Sequence, residues 1–129
     1  MQTAIHIQDF RGDRVVEDRD DLLRVLAQRY SNDANLFTLS SASLEYPWLN
    51  AYVRKEQSVL YYLPSEGEMF ASAGELECDE EVMKFYDNET SVNWLPASHV
   101  IPWSNALACI EMFCEDFGLP NVVEWHRLS

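Results

Sequence analysis

The chain has 129 residues, 47% of them hydrophobic and 24% charged, which is the composition of one folded domain and not of a disordered segment. Its 22 acidic residues against 9 basic ones give a formal net charge of -13, which disfavours nucleic acid and anionic lipid as partners. No apolar run is long enough to cross a bilayer, and the first residues lack the basic and apolar segments of a secretory signal. We therefore expect a cytoplasmic protein without a membrane span.

The N-terminal third predicts two short strands followed by a helix. Residues 4–7 and 14–16 are short strand-like runs on either side of a glycine-containing turn. A helix is predicted over residues 20–30, because Asp18 and Asp20 can cap its N-terminus and apolar residues recur behind them at helical spacing. The apolar face of this predicted helix consists of Leu22, Val25, Leu26 and Tyr30.

In the middle of the chain the apolar residues recur with the spacing of strands. Residues 35–39, 48–54 and 58–63 are predicted strands, and a short hairpin loop joins the last two. Both faces of the strand over residues 58–63 are apolar, which indicates either a central strand or a second face that carries a binding surface. Weaker strand patterns cover residues 69–73, 81–86 and 91–95.

The C-terminal third predicts a second helix and a closing strand. Pro102 suits the first turn of a helix, and an apolar stripe at helical spacing continues from it to Phe117. Gly118 is a suitable C-cap, Pro120 prevents continuation, and residues 122–127 form the last strand. This order predicts a single α+β domain with a largely antiparallel sheet and two main helices packed on one face. The other face of the sheet and the acidic connections would then be left for a partner.

Acidic residues concentrate between Pro64 and Thr90, where Lys84 is the one opposing charge. We predict that this stretch contacts a basic partner surface and raises the rate of association, because long-range attraction steers the encounter. Solubility is the simpler interpretation of acidity taken alone. The predicted contact residues of the stretch are Glu66, Glu68, Glu75, Glu77, Asp79, Glu80, Glu81, Asp87 and Glu89.

Aromatic residues are the second group of candidates for binding a partner. A partly exposed aromatic side chain buries a large area on binding and therefore sets the residence time of a complex. We expect one or two of four candidates to act in this way, while Trp103 and Trp125 lie in the strongest core pattern and are predicted to be structural. The four candidate anchors are Trp48, Tyr62, Phe70 and Trp94.

The sequence contains no motif that predicts catalysis or a bound cofactor. His6, His99 and His126 lack the spacing that zinc ligands show, and the isolated glycines form neither a nucleophile elbow nor a phosphate loop. The carboxylates of Glu75 and Glu77 could act as a glycosidase pair, but an exposed stretch lacks the burial that general acid catalysis needs. We therefore expect no metal, no cofactor and no enzymatic activity.

The C-terminal sequence resembles a known family. Residues 95–102 precede the amphipathic helix, which ends in Phe-Cys-Glu-Asp-Phe-Gly-Leu-Pro, and Val-Glu-Trp follows at residues 123–125. This ending is similar to that of the first-numbered immunity domain of bacterial polymorphic toxin systems, and within it to immunity proteins of interbacterial cytosine deaminases that act on double-stranded DNA. The strand around Leu60 and the leucine-rich first helix also fit. One difference is that this helix ends in Phe-Gly-Leu-Pro, whereas helices of the family often end in Thr-Gly before the proline. The helix end has a structural role, so this difference affects no functional residue.

The resemblance implies a protein that binds a cognate toxin domain, a zinc-dependent deaminase, and neutralises it by blocking the basic cleft that receives DNA. It transfers no catalytic residue, and it transfers no interface residue because the interface varies with the toxin. An acidic inhibitor or DNA mimic directed against a nuclease toxin is the alternative that the acidic stretch supports equally. A small hydrolase that uses two carboxylates is a weaker alternative.

Overall fold

The structure is a computed structural model that describes residues 3–74 and 81–129. Within these residues an antiparallel eight-stranded sheet forms the centre of the fold, and a separate two-stranded hairpin packs on it, which confirms the predicted α+β class. The helices are α1 (Arg19–Leu26) and α2 (Trp103–Asp116). The strands are β1 (Ile5–Asp9), β2 (Gly12–Val16), β3 (Ala34–Ser41), β4 (Trp48–Arg54), β5 (Gln57–Leu63), β6 (Phe70–Ala73), β7 (Val82–Tyr86), β8 (Val92–Pro96), β9 (Ile101–Pro102) and β10 (Glu124–Arg127).

The main sheet has the strand order β10-β6-β5-β4-β3-β1-β2, and the short β9 also pairs with β5. Its centre is the meander β3–β4–β5, in which Phe37 lies opposite Ala51 and Ala51 lies opposite Leu60. The alternating sequence predicts this part closely, because each of these strands has at least one continuous apolar face. In the described part of the chain, no helix combines the length and the apolar character needed to cross a membrane.

Both helices pack on the same face of the sheet, as the sequence predicted. Leu22 of α1, with Ile110 and Phe113 of α2, belongs to one buried cluster that also contains Phe37 and Leu60 from the sheet. Removing such side chains from water is the main favourable contribution to folding, about 1.5–3 kcal/mol for each large apolar group. This cluster is the principal core of the protein.

Helix α1 is shorter than the predicted helix over residues 20–30. The side chain of Asp18 accepts a hydrogen bond from the backbone N–H of Asp21 at 2.8 Å, so the start agrees with the predicted capping. The regular helix ends at Leu26 with Ala27 as its C-cap, and beyond it the carbonyl of Gln28 accepts a hydrogen bond at 3.0 Å from the Asn35 side chain of β3. A side-chain contact thus serves the carbonyl of Gln28 where the prediction placed a further helical turn.

Helix α2 ends one residue earlier than the predicted glycine cap. Phe117 takes the left-handed conformation at φ 57°, and its N–H donates to the carbonyl of Phe113 at 2.7 Å. The Phe117 ring packs edge-on against Phe113, and the Tyr62 hydroxyl donates to the Phe117 carbonyl at 2.9 Å. These contacts offset the cost of a left-handed conformation in a residue with a side chain.

The second face of the sheet is not simply left open for a partner, which corrects the expectation from sequence. The β7–β8 hairpin covers part of it, and Phe85 and Leu95 form a second buried cluster with Val59 of β5 and with Val100. The Phe85 ring also lies edge-on to Tyr52 of β4, with 6.3 Å between the ring centroids. The double apolar character of β5 therefore belongs to a central strand with packing on both faces.

Candidate partner-binding surface

The outward face of the β7–β8 hairpin is mostly apolar, with Lys84 as its one charged residue. The inward positions of the two strands are buried against the main sheet, so the alternate positions point away from it. In the register of the hairpin, Val82 lies opposite Pro96, and Lys84 lies opposite Trp94. Trp94, Val82 and Val92 are 58%, 44% and 41% exposed. We call this surface the hairpin strip and define it as Val82, Val92, Trp94 and Pro96.

Side-chain contacts with the main sheet fix the position of the hairpin. The Tyr52 hydroxyl donates to Asp87 Oδ1 at 2.7 Å, and the Asn93 amide donates to the same oxygen at 3.0 Å. Burial, together with the hydrogen bond to Asp87, raises the pKa of Tyr52 to about 12, so this hydroxyl stays a donor at physiological pH. At the hairpin tip, Arg11 from the β1–β2 turn pairs with Glu89 at 2.6 Å.

The described carboxylates of the acidic stretch occupy three separate places. Asp87 and Glu89 lie at the hairpin tip, where the hydrogen bond from Arg11 is the main cause that lowers the pKa of Glu89. Exposed Glu66 and half-buried Glu68 lie in the β5–β6 connection, where Glu68 is 4.0 Å from Arg127 of β10, and Glu81 lies at the start of β7. The stretch is therefore continuous in sequence but divided in space.

One carboxylate borders the hairpin strip directly. Glu81 is exposed, and its carbonyl accepts a hydrogen bond from the N–H of Ala97 at 3.0 Å, which fixes the backbone at the start of β7. The predicted contact residues Glu75, Glu77, Asp79 and Glu80 lie outside the described residues.

Trp48 forms a second exposed aromatic group. It opens β4 on the face opposite the helices, since it alternates with the buried Leu49. Its ring stacks on that of Tyr46 with 5.3 Å between centroids, and its indole N–H donates to the carbonyl of Glu45. Trp48 is 36% exposed, and Leu44 in the same loop is exposed as well.

Two of the four candidate anchors are not exposed as expected. Tyr62 is 7% exposed and belongs to the principal core, where its ring lies edge-on to Phe113. Tyr62 occupies the helix-covered face of β5, which leaves Trp48 and Trp94 as the exposed members of the four candidates. Phe70 is half-buried against the same core, and the guanidinium of Arg127 lies 5.8 Å from its ring centroid.

Trp103 and Trp125 pack against the core, in agreement with the structural role predicted for them. Trp103 stacks on Phe37, and the guanidinium of Arg29 lies 4.7 Å from its ring centroid. The indole N–H of Trp125 donates to the carbonyl of Pro120 at 2.7 Å. Both indole rings therefore support the fold and are not available as free anchors.

The titratable groups of the described residues are dispersed or buried. Residues 3–74 and 81–129 contain no group of three His, Cys, Asp or Glu side chains that could hold a metal ion. Cys109 and Cys114 of α2 are buried as free thiols, and burial raises their pKa to about 11 and about 12, which keeps them protonated and unreactive. The rings of His99 and His126 are close, with 5.6 Å between centroids.

Sequence patterns alone did not identify the hairpin strip as a surface. The sequence places Val82 and Val92 in weak strands and Pro96 just beyond the second of them, and it singles out only Trp94. The available signal was the alternation in residues 82–86 and 92–96, which separates the inward Phe85 and Leu95 from the outward positions. That signal becomes interpretable only when the face that packs on the main sheet is known.

An acidic α+β domain whose hairpin is fixed to the sheet and mostly apolar on its outward face has the features of a protein-binding domain. Residues 11–127 match the family described as Immunity protein Imm1, so the chain belongs to that family. It is 32% identical over 85 residues to the "Double-stranded DNA deaminase immunity protein" of Burkholderia cenocepacia (strain H111). The alignment covers 66% of this chain and 68% of that protein.

Proposed function

We propose that this chain is an immunity protein that binds a cognate deaminase toxin in the cytoplasm and blocks the basic substrate cleft of that toxin. The observation that carries the proposal is the similarity to an immunity protein named for a double-stranded DNA deaminase. Membership of the Imm1 family supports the general role, because that family consists of immunity proteins. The partner in this proposal is a protein, and neither nucleic acid nor a membrane takes part in the contact.

Electrostatics supports the proposed mechanism. A toxin that modifies DNA must present positive charge to the phosphate backbone. A protein with a net charge of -13 is attracted to the same positive surface and repelled by the DNA itself. Occupation of the cleft by the immunity protein then excludes the substrate without any chemical step.

The proposed role requires binding and no turnover. Zinc and the general acid/base glutamate belong to the deaminase in this proposal, where the metal activates the attacking water. The immunity protein supplies shape and charge only. The buried, protonated thiols of Cys109 and Cys114 are consistent with this role, because neither is placed to react with a partner.

The test measures DNA deamination by the purified toxin domain that is encoded next to this chain. We expect stoichiometric inhibition that is relieved as the DNA concentration rises, because protein and DNA compete for one cleft. Inhibition that does not respond to DNA would place the contact outside the substrate cleft. Absence of both inhibition and binding would contradict the immunity function.

The nature of the neighbouring toxin separates the two inhibitor hypotheses. A deaminase carries a His-x-Glu and a Pro-Cys-x-x-Cys signature for its zinc site, whereas a nuclease toxin lacks that pair. Co-expression of the toxin and this chain should restore growth only in the cognate pairing. If cells die equally fast with and without the chain, the proposal is wrong whichever chemistry the toxin performs.

A further inference from the structure

We infer that the hairpin strip is the surface that packs against the toxin, with Trp94 as its central anchor. This inference rests on the proposed function and deepens it by assigning the surface and the chemistry of its partner. The strip combines an exposed tryptophan with two exposed valines on a rigid two-stranded support. A partly exposed aromatic residue among apolar neighbours is the common form of an interface hot spot.

The composition of the hairpin is the first argument. An antiparallel hairpin that packs one face on a sheet normally presents polar side chains on its solvent face. Here Phe85 and Leu95 on the inward face form the buried cluster with the main sheet. The outward valines, Val82 and Val92, are not part of that cluster. Their exposure together with Trp94 leaves an apolar surface that residues 3–74 and 81–129 do not cover and that a second molecule can bury.

The fixed position of the hairpin is the second argument. The hydrogen bond from Tyr52 to Asp87 and the ion pair of Arg11 with Glu89 attach the hairpin near its tip. Within the hairpin, Asn93 also donates to Asp87, and at the opposite end the carbonyl of Glu81 accepts from the N–H of Ala97. A surface that is ordered before binding loses less conformational entropy in a complex and therefore binds more tightly for the same contacts.

Charge identifies the occupant. Residues 81–96 contain three carboxylates and one lysine, and the chain as a whole carries -13. A second copy of this chain would bring the same charge to the contact, so self-association is disfavoured. The complementary partner is a protein surface with an apolar pocket for an indole ring and basic side chains around it. The basic substrate cleft of a DNA-modifying toxin has this chemistry.

Lys84 fits the same arrangement. It stands opposite Trp94 in the register, and its ammonium lies 5.5 Å from the centroid of the Tyr86 ring. This contact engages the single cation of the hairpin with an aromatic face of its own chain. Lys84 keeps its positive charge in this contact, but the three carboxylates at the two ends of the strip outnumber it, so the net charge that a basic partner meets is negative.

The experiment measures the association and dissociation rates of purified toxin domain with the parent chain, two variants of the hairpin strip and two control variants. Trp94→Ala should raise the dissociation rate about thirtyfold or more, the scale of a hot-spot residue. Val92→Arg adds a bulky cation to the strip and should weaken binding at least tenfold, because a basic rim repels it. Both substitutions lie on exposed positions and should leave the melting temperature close to that of the parent chain.

Val15→Arg is the matched control for Val92→Arg. Val15 lies on the edge strand β2, is 55% exposed and belongs neither to the hairpin strip nor to the residues that attach the hairpin. The control introduces the same charge and should leave the dissociation rate nearly unchanged. Trp48→Ala provides the matched control for the loss of an exposed indole ring.

The outcomes separate the inference from the proposed function. If the parent chain binds the toxin but Trp94→Ala and Val92→Arg dissociate at the parent rate, the inference is overturned and the proposed function stands. A loss of binding in Trp48→Ala alone would move the anchor to the β3–β4 loop and would also overturn the inference. If the parent chain fails to bind, the proposed function itself fails. Should Trp94→Ala unfold, Val92→Arg against Val15→Arg decides the question.

Discussion

At the residue scale, Gly74 occupies a position that has no room for a side chain. Its N–H donates to the carbonyl of Ser98 at 2.7 Å, and a Cβ at this position would lie 2.0 Å from the carbonyl oxygen of Val100. Both contacts involve backbone, so neither can rotate away. The glycine lets the chain after β6 approach the segment that follows β8.

We expect Gly74→Ala to lower the free energy of unfolding by about 2 kcal/mol or more, because relieving the overlap must separate two backbone segments. Denaturant unfolding monitored by tryptophan fluorescence measures the change. Gly118→Ala is the matched control, since its Cβ would meet only the flexible Asp116 side chain at 3.2 Å. Equal losses in the two variants would contradict the role of close approach.

His99 gives the second prediction at this scale. Burial, and then the neighbouring His126, lowers the pKa of its imidazole from the ordinary 6.5. The unfolded chain consequently binds a proton at His99 more readily than the folded chain does. Folding stability should fall as the pH drops below about 6.5 and should level off once the folded form is protonated as well.

Urea unfolding between pH 5 and pH 7.5 checks this prediction. The chain with His99→Gln should show a flatter stability profile than the parent over that range, because the shifted group is gone. A parent profile that rises as the pH falls from 7 to 6 would show that the sign is wrong.

At the element scale, Asp87 is the hydrogen-bonded group that positions the β7–β8 hairpin against Tyr52 of the main sheet. Asp87 Oδ1 accepts from both the Tyr52 hydroxyl and the Asn93 amide, and the Tyr52 ring packs against Phe85. The ring and the hydroxyl of Tyr52 thus act on the same element in different ways. Removal of the hydroxyl alone tests the polar part.

We expect Tyr52→Phe to cost about 1 kcal/mol, the usual net value of a hydrogen bond. The loss should be local, with faster hydrogen exchange of the β7 and β8 amides and little change in the amides of β3 and β4 beyond the global shift. Mass spectrometry of peptides after exchange measures both regions in one experiment. A uniform change across all strands would indicate that the hydroxyl supports the whole fold instead.

The elements also show where sequence reasoning succeeds and where it stops. β4 was predicted with its observed bounds and β5 within one residue, because their periodicity is local and strong. The predicted α1 extends past Leu26, where the Asn35 side chain bonds to the carbonyl of Gln28, and the separate pairing of β7 with β8 was missed. Periodicity records neither a side-chain bond to the backbone nor which sheet a strand joins. Tyr62 shows a further limit, since alternation separates two faces but does not say which face the helices cover.

At the scale of the whole molecule, negative charge is spread widely, whereas the exposed apolar surface is concentrated. The hairpin strip is local, whereas acidic residues occur on several sides of the fold, including exposed Glu17 and Asp20 near the start of α1. A uniform negative charge would accelerate association with any basic protein without choosing an orientation. Orientation requires that the acids close to the contact matter more than those far from it, because screening limits attraction to about 10 Å at 0.1 M ionic strength.

The last prediction compares two double variants that change the net charge equally. Glu66→Gln with Glu81→Gln removes two exposed carboxylates of the acidic stretch, and Glu17→Gln with Asp20→Asn removes two from the helix side. At low salt the first pair should slow association with the toxin domain about three- to tenfold, and the second pair by less than about twofold, because distance and screening weaken its attraction.

Stopped-flow measurements at low salt and at about 0.5 M salt, where the screening length is roughly 4 Å, separate steering from contact. The difference between the two double variants should vanish at high salt, and dissociation rates should stay within about twofold of the parent, because rim charges act mainly on the encounter. Equal slowing by both pairs would mean that net charge alone drives association, without orientation by the acidic stretch. An association rate of the parent chain that does not depend on salt would exclude electrostatic steering altogether.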